Sequence, residues 1–499
     1  MPGPPRRSVW AALALVTAGA LALRLPYLGN QSLWYDETFT RTIAVAPSIT
    51  RLWHEVKASE GTPPLYYLLT WGWGKLFGIH SDAALRATSG LAGAACAPAA
   101  FLALRRLAGG RAALAAAALA AASPMLVWYS LDARAYSLLV LLSLVSIWST
   151  SLVLERPTAR RFAGWMLAAA AVVWTHYFGA FLVVAEAALL LWRLPEARGR
   201  TLAWSAVAGA LAAPLIPVLS AQTDARTDFI GSLALADRLE QAGRQLAMGP
   251  NVPRAWLEVI GLALAAAAVA GGLLAARRSA PLRATALLAA VAIGLPLFLS
   301  VTDIEDRLLA RNLLIAWPAL AALAAVGLLR LRGVPLALYL AVGVAAIVWV
   351  EGDWRYQNPD WRGAARAAEH APGTEPAAAF PALDAPVAAV YLGRHEVRGP
   401  VVADRILVAV EPARIGRREL APVRSGPRLP PGFTAAWANT YRGFRLLELR
   451  AGARQAVSRA ELGRDVLGDP PALLVIRRSR SGASVASAST ASSGSDHAR

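Results

Sequence analysis

Charge and sulfur are what this sequence has least of. Only 16% of its 499 residues are Asp, Glu, Lys or Arg, against 56% hydrophobic, which leaves too little polar surface to cover an ordinary soluble fold. The single cysteine, Cys96, excludes an intramolecular disulfide and leaves no pair for a CxxC metal or redox site. Set in an Ala-rich apolar run, it reads as a small packing residue. Lysine is nearly missing as well: Lys57 and Lys75 are the only two, so the basic residues are almost all arginine. Nor does any internal repeat appear along the chain.

What is there instead is a succession of apolar runs, each of the length that crosses a hydrocarbon core, roughly 20 residues. They read as about eleven transmembrane helices: Trp10–Leu28, Ala83–Leu104, Ala112–Tyr129, Tyr136–Leu154, Phe162–His176, Ala180–Trp192, Leu202–Leu219, Ala255–Ala276, Ala284–Val301, Leu308–Leu329 and Val334–Val350. The first follows Arg6 and Arg7 but is too long for a secretory leader and lacks a small-residue cleavage site, so a retained helix is expected.

The net charge of +18 would suggest a nucleic-acid partner in a soluble protein, and the placement of the arginines decides against it. With the amino terminus inside, one set of loops collects Arg105, Arg106 and Arg111, then Arg156, Arg160 and Arg161, then Arg193, Arg198 and Arg200, then Arg277, Arg278 and Arg283, and lastly Arg330 and Arg332, opposed only by Glu155 and Glu196. That is the cytoplasmic pattern of a multi-pass membrane protein whose partner is the bilayer. On the other side acids such as Asp36, Glu60, Asp132, Asp224, Asp228, Asp303, Glu305 and Asp306 roughly balance the arginines, and everything after Glu351 is expected outside.

Three parts follow from this pattern. Residues 1–351 form the transmembrane part, including a long outer loop at 29–82; residues 352–478 form a small extracytoplasmic α/β domain; and 479–499, rich in Ser, Ala and Gly, cannot bury a core and is expected to be disordered. In the outer loop, Pro63 and Pro64 can start an aromatic helix that lies at the membrane surface. A second outer loop, 220–254, is expected to hold a short helix around Leu233–Met248. In the last domain Arg405–Val410, Gly443–Leu449 and Ala472–Arg477 read as strands and Trp361–His370 as a helix.

Several groups could carry chemistry. Asp36 and Glu37, beside Trp34 and Tyr35, offer a general base in a partly apolar setting, or else a solvated helix start with Asp36 as its cap. Asp132 and Arg134, in the tight turn between the third and fourth helices, either serve a site or satisfy each other at a helix end. His176 is a metal ligand or a hydrogen-bonded interfacial residue. Arg307 and Arg311 can clamp a phosphate near the headgroup level or simply snorkel. Glu186, within the sixth helix, should face the bundle interior.

In order, the motifs Leu33-Trp34-Tyr35-Asp36-Glu37, Thr62-Pro63-Pro64-Leu65-Tyr66-Tyr67-Leu68-Leu69, Tyr129-Ser130-Leu131-Asp132-Ala133-Arg134-Ala135-Tyr136, His176-Tyr177, Arg311-Asn312-Leu313-Leu314 with Pro318, and Pro359-Asp360-Trp361-Arg362 resemble the bacterial branch of the family 39 glycosyltransferases of GT-C fold, which includes protein O-mannosyltransferases and the aminoarabinose transferases of lipid A. The resemblance implies a polytopic GT-C enzyme that moves a sugar from a polyprenyl-phosphate donor to a hydroxyl-bearing acceptor on the outer face, with inversion. It makes Asp36 the base, with Glu37 shaping the site and Asp132 the second acid. Arg134, Tyr66, Tyr129, Lys75, Arg307 and Arg311 become substrate-binding residues, Arg311 holding the donor phosphate. Glu60 and His176 stand where some relatives bind a divalent ion (Mg, Mn or Zn), though others need none. The chain departs from the common pattern in Asp132, where Glu is frequent, and Asn312, where Tyr is frequent. A transporter or flippase of lipid-linked sugars is the alternative, and a silent surface scaffold a third class. The transporter predicts repeats and midplane charge, of which Glu186 alone is a clear instance.

Overall fold

The structure, a computed structural model, describes residues 7–222, 230, 233–304 and 306–369, and beyond these 377–381, 385–392, 395–397, 399–410, 414–415, 419–420, 429–441, 444–462 and 473–477. The tail expected to be disordered, and the loop acids Asp224, Asp228 and Glu305, lie outside the described residues. The chain divides into two compact units, one built on residues up to 359 and the other from 360 onward.

All eleven apolar runs are helical. Among the described residues, eight helices are long and apolar enough to cross a membrane, or nine if one bent pair counts as a single span. Ala159–Thr175 and Gly179–Arg193, with 17 and 15 residues, fall short of the roughly 20 needed for a straight crossing. Leu202–Leu219 is two helices, Arg198–Ala212 and Ile216–Gln222, joined by a 3-10 turn at Ala213–Leu215 around Pro214. Small residues let the helices meet closely: a Cβ on Gly327 would lie 2.0 Å from the Ala268 carbonyl oxygen and one on Gly272 2.2 Å from that of Leu323.

The bent pair is Gly110–Ala122 and Pro124–Ser130, meeting at 52°. Pro124 supplies no N–H, and Ser123, extended at φ −71° and ψ 118°, caps the second helix by accepting from the Leu126 amide. The break strands carbonyls at the end of the first helix. Arg24, fully buried, donates to those of Ala120 and Ala121, each at 2.9 Å, and its Nε reaches Ser130 Oγ at 3.0 Å. A buried arginine thus holds the kink that aims residues 129–134 at the end of the bundle.

The first long loop folds into Tyr35–Ala44, Ile49–Ser59 and Leu65–Phe77, the last begun at Pro64 as its sequence predicts. It has its own core, in which Ile43, Leu52, Val56, Tyr66 and Tyr67 pack on Ala92, Ala135 and Leu138 of the bundle. The helix expected near Leu233–Met248 spans Leu235–Met248.

The second unit is a mixed sheet of β1 (Ala377–Pro381), β2 (His395–Val397), β3 (Val401–Val410), β6 (Phe433–Tyr441), β7 (Phe444–Val457) and β8 (Leu473–Arg477), in the order β2-β8-β1-β3-β7-β6, with β4 (Arg414–Ile415) and β5 (Glu419–Leu420) paired apart from it. Among the described strands, only β1 and β3 run parallel. The strands expected from sequence lie in β3, β7 and β8, and the expected helix is Trp361–Glu369.

Candidate active site

The two adjacent acids after Trp34 take different places. Trp34 caps the Tyr35–Ala44 helix, and Glu37 at its third position turns back to accept the Trp34 amide at 3.2 Å; Glu37, not Asp36, satisfies the helix start. The Glu37 carboxylate is fully buried and gripped by Arg86, Nε to Oε1 at 2.6 Å and Nη2 to Oε2 at 2.5 Å, while the Ala133 amide donates to Oε1 at 2.8 Å. Arg86 also donates to the carbonyls of Leu28, Gln31 and Ser32. A buried pair whose remaining donors are all used is rigid, and losing one partner costs about 3–5 kcal/mol. Arg86 therefore fixes the chain emerging at 28–37 against the turn at 132–134.

The side chains of Asp132 and Arg134 in that turn do not pair with each other. Asp132 Oδ1 accepts from Trp34 Nε1 at 2.8 Å, whereas Arg134 Nη1 pairs with Glu60 Oε2 at 2.7 Å and reaches the Asp36 carbonyl at 3.4 Å. The Arg134 guanidinium also stands 6.0 Å from the Tyr67 ring. Burial, with the Glu37 charge added, pushes the Asp132 carboxyl up to about 8, against the pull of the Trp34 donor, Arg134 and Arg86. Burial raises Glu60 as well, opposed by Arg134 and Tyr67.

Beside the turn lies a cavity of about 360 Å³ whose wall includes Trp34, Trp128, Tyr129, Asp132 and Arg311. Asn312 Nδ2 donates to the Arg307 carbonyl at 2.7 Å and so closes the turn that presents Arg311. Among the described residues, no hydrogen bond or ion pair engages the Arg311 guanidinium. Asp36, two residues beyond Trp34, does not line this cavity, but its charge acts on Arg311, Tyr129, Tyr136 and Arg134. A second cavity, apolar and about 420 Å³, runs between the helices past Leu246, Leu262, Val269, Trp317 and Leu320. The Leu235–Met248 helix borders both.

Of the residues expected at a site, Asp132, Tyr129 and Arg311 share the polar cavity, with Glu37, Arg134 and Glu60 in the network beside it. Tyr129 packs on Tyr136 at 4.6 Å, and Tyr136 stands 6.0 Å from His176. Tyr66 and Lys75 are elsewhere: the buried Tyr66 hydroxyl bonds Ser89 Oγ at 2.8 Å, and the exposed Lys75 ammonium lies 5.4 Å from the Trp71 ring centroid and 3.4 Å from the Pro47 carbonyl. Arg307 is near in sequence but does not line the cavity.

Residues 61–220 match the family described as dolichyl-phosphate-mannose-protein mannosyltransferase. The fold is similar to that of ArnT from Cupriavidus metallidurans bound to undecaprenyl phosphate, with a TM-score of 0.58 and 15% identity over 90% of this chain and 99% of that one. The apo state of the same protein matches equally, with a TM-score of 0.58 and 15% identity over 89% and 98% of the two chains. The chain has the GT-C glycosyltransferase fold. An oligosaccharyltransferase from Archaeoglobus fulgidus, tethered to an acceptor peptide, matches more weakly, with a TM-score of 0.46 and 14% identity over 73% and 57% of the chains. No curated protein sequence matches. With its apolar helices long enough to cross a bilayer, the chain is a multi-pass membrane protein of this fold.

The divalent ion implied for some relatives finds no ready set of ligands here. Glu60 gives one oxygen to Arg134, His176 Nδ1 accepts from the Phe178 amide at 3.2 Å, and among the described residues no three His, Cys, Asp or Glu side chains group to hold a metal. No step below runs through one. The sequence reading missed Arg86 and Arg24, although a signal was present: a charged residue inside an apolar helix is expensive unless it serves the site or its support.

Proposed function

We propose that this GT-C protein transfers a sugar from a polyprenyl-phosphate carrier to a hydroxyl acceptor on the outer face of the membrane, with inversion at the anomeric carbon. The observation that carries the reading is Arg311, a guanidinium with no protein partner among the described residues, lining the same cavity as Asp132 and Trp34 while an apolar cavity runs alongside. A lipid phosphate needs both features, a cation for its headgroup and an apolar path for its tail. The similarity to a protein bound to undecaprenyl phosphate supports the same class of donor.

In the reaction, Asp36 takes the proton from the acceptor hydroxyl as its oxygen bonds to the anomeric carbon. The bond from that carbon to the phosphate oxygen breaks, and the phosphate leaves with the electron pair towards Arg311. Glu37 and Arg86 act from behind, keeping the 28–37 segment and the 132–134 turn in register. The arginine-rich loops set the outer orientation.

Asp36→Asn tests the reading in membranes supplied with polyprenyl-phosphate sugars. Turnover should fall by about 10²–10⁴, the worth of a positioned base, with donor binding little changed. Full activity in this variant would remove Asp36 as the base.

A further inference from the structure

Three side-chain amides line the polar cavity besides that of Gln31. Gln241 and Gln245, one turn apart on the Leu235–Met248 helix, line it together with Asn358. Among the described residues, no side-chain hydrogen bond engages any of these three amides. Their neighbour Gln31, by contrast, is engaged at both ends of its amide: the nitrogen donates to Glu351 at 3.1 Å and the oxygen accepts from the Asn358 backbone at 3.2 Å.

The helix that carries the two glutamines is anchored one turn before them and again between them. Arg238 makes a two-pronged pair with Asp306 at 2.6 and 2.8 Å, and Arg244 pairs with Glu258 at 2.6 Å. Asp306 lies in the segment that leads to Arg311, so the amides and the free guanidinium are tied to one frame. A pre-positioned set of unused donors and acceptors next to aromatic faces, Trp34 and Trp128, suits a polyhydroxylated ring, whose hydroxyls pair with amides and whose C–H faces pack on indoles.

We propose that Gln241, Gln245 and Asn358 form the sugar-reading wall of the cavity and select an uncharged sugar. The inference rests on the transferase reading above and names the residues that decide which donor is used. Selection against a cationic amino sugar follows from the charges present: the amides are neutral, and Arg311 repels an ammonium group across the same cavity.

The test uses the full-length protein reconstituted in proteoliposomes, with a polyprenyl-phosphate hexose, a polyprenyl-phosphate amino sugar and bare polyprenyl phosphate as probes. Gln241→Met and Gln245→Met should each raise KM for the neutral donor by about 3- to 10-fold, the size of one neutral hydrogen bond, and leave binding of bare polyprenyl phosphate unchanged. Gln245→Glu, which adds a carboxylate at the same length, should shift the preference towards the amino-sugar donor, a change that mere loosening of the helix would not produce. Unchanged KM in the Met variants, or equal weakening of bare polyprenyl phosphate, overturns the sugar-reading wall and leaves the transferase intact. Absence of transfer by the parent protein from either donor overturns the transferase reading itself, and this inference with it.

Discussion

Asp132 and Glu37 are both buried carboxyls, touching the same turn, yet their chemistry differs because their partners do. Glu37 is gripped by the Arg86 guanidinium and locked in structure; at Asp132 burial, with the Glu37 charge added, outweighs the Trp34 indole N–H, Arg134 and Arg86, so its proton is held up to about 8. Near neutral pH Asp132 is therefore uncharged and does not oppose the positive field of Arg311 on a donor phosphate. As pH rises through about 8 the carboxyl ionises in the wall of the cavity and repels the phosphate. Donor KM should accordingly climb above about pH 8 in the parent and stay flat in Asp132→Asn, measured as initial rates across a pH series; a parallel climb in the variant would assign the response to another group.

Among the elements, two devices place this site. The first is the kink at Ser123-Pro124, whose stranded carbonyls are taken by Arg24, so that the short Pro124–Ser130 helix delivers Tyr129 and Asp132 to the cavity. The second is backbone contact between the Ala255–Ala276 and Trp317–Leu328 helices at Gly272 and Gly327. These helices also wall the apolar cavity. Gly327→Val places a branched side chain against the Ala268 carbonyl, which is backbone and cannot turn aside. The helices must separate, at a cost of about 1–3 kcal/mol, and the detergent-solubilised variant should unfold at a lower temperature than the parent. An unaltered melting temperature would mean that the two helices meet less closely.

For the whole molecule, the charge asymmetry of its loops is a statement about sidedness that can be read chemically. Cys96, the only cysteine, is 1% exposed and leaves a silent background for labelling. Gly61 and Gly199 are exposed, and a Cβ at either meets nothing within 4 Å, so a cysteine is accommodated at both. A membrane-impermeant maleimide should label Gly61→Cys in intact cells and Gly199→Cys only after permeabilisation. The reverse pattern would invert the molecule and remove the outer-face reaction.

The apolar runs and the arginine bias, by themselves, determined that this chain is a bundle of membrane helices, because an uninterrupted apolar run of about 20 residues satisfies its own backbone hydrogen bonds in hydrocarbon as a helix, whereas a barrel strand is shorter and alternates. The motif order, likewise, pointed to Asp132, Tyr129 and Arg311. Only the tertiary structure decided that Glu37 serves Arg86, that Arg134 turns to Glu60 rather than to Asp132 beside it, and that Gln241, Gln245 and Asn358 face the same cavity. Those pairings join residues 49, 74 and more than 100 positions apart, and no local pattern fixes which buried charge finds which partner. Lipid exclusion acts on each segment alone and is legible residue by residue; the choice among buried ion pairs depends on where the kink and the glycine contacts finally bring the helices.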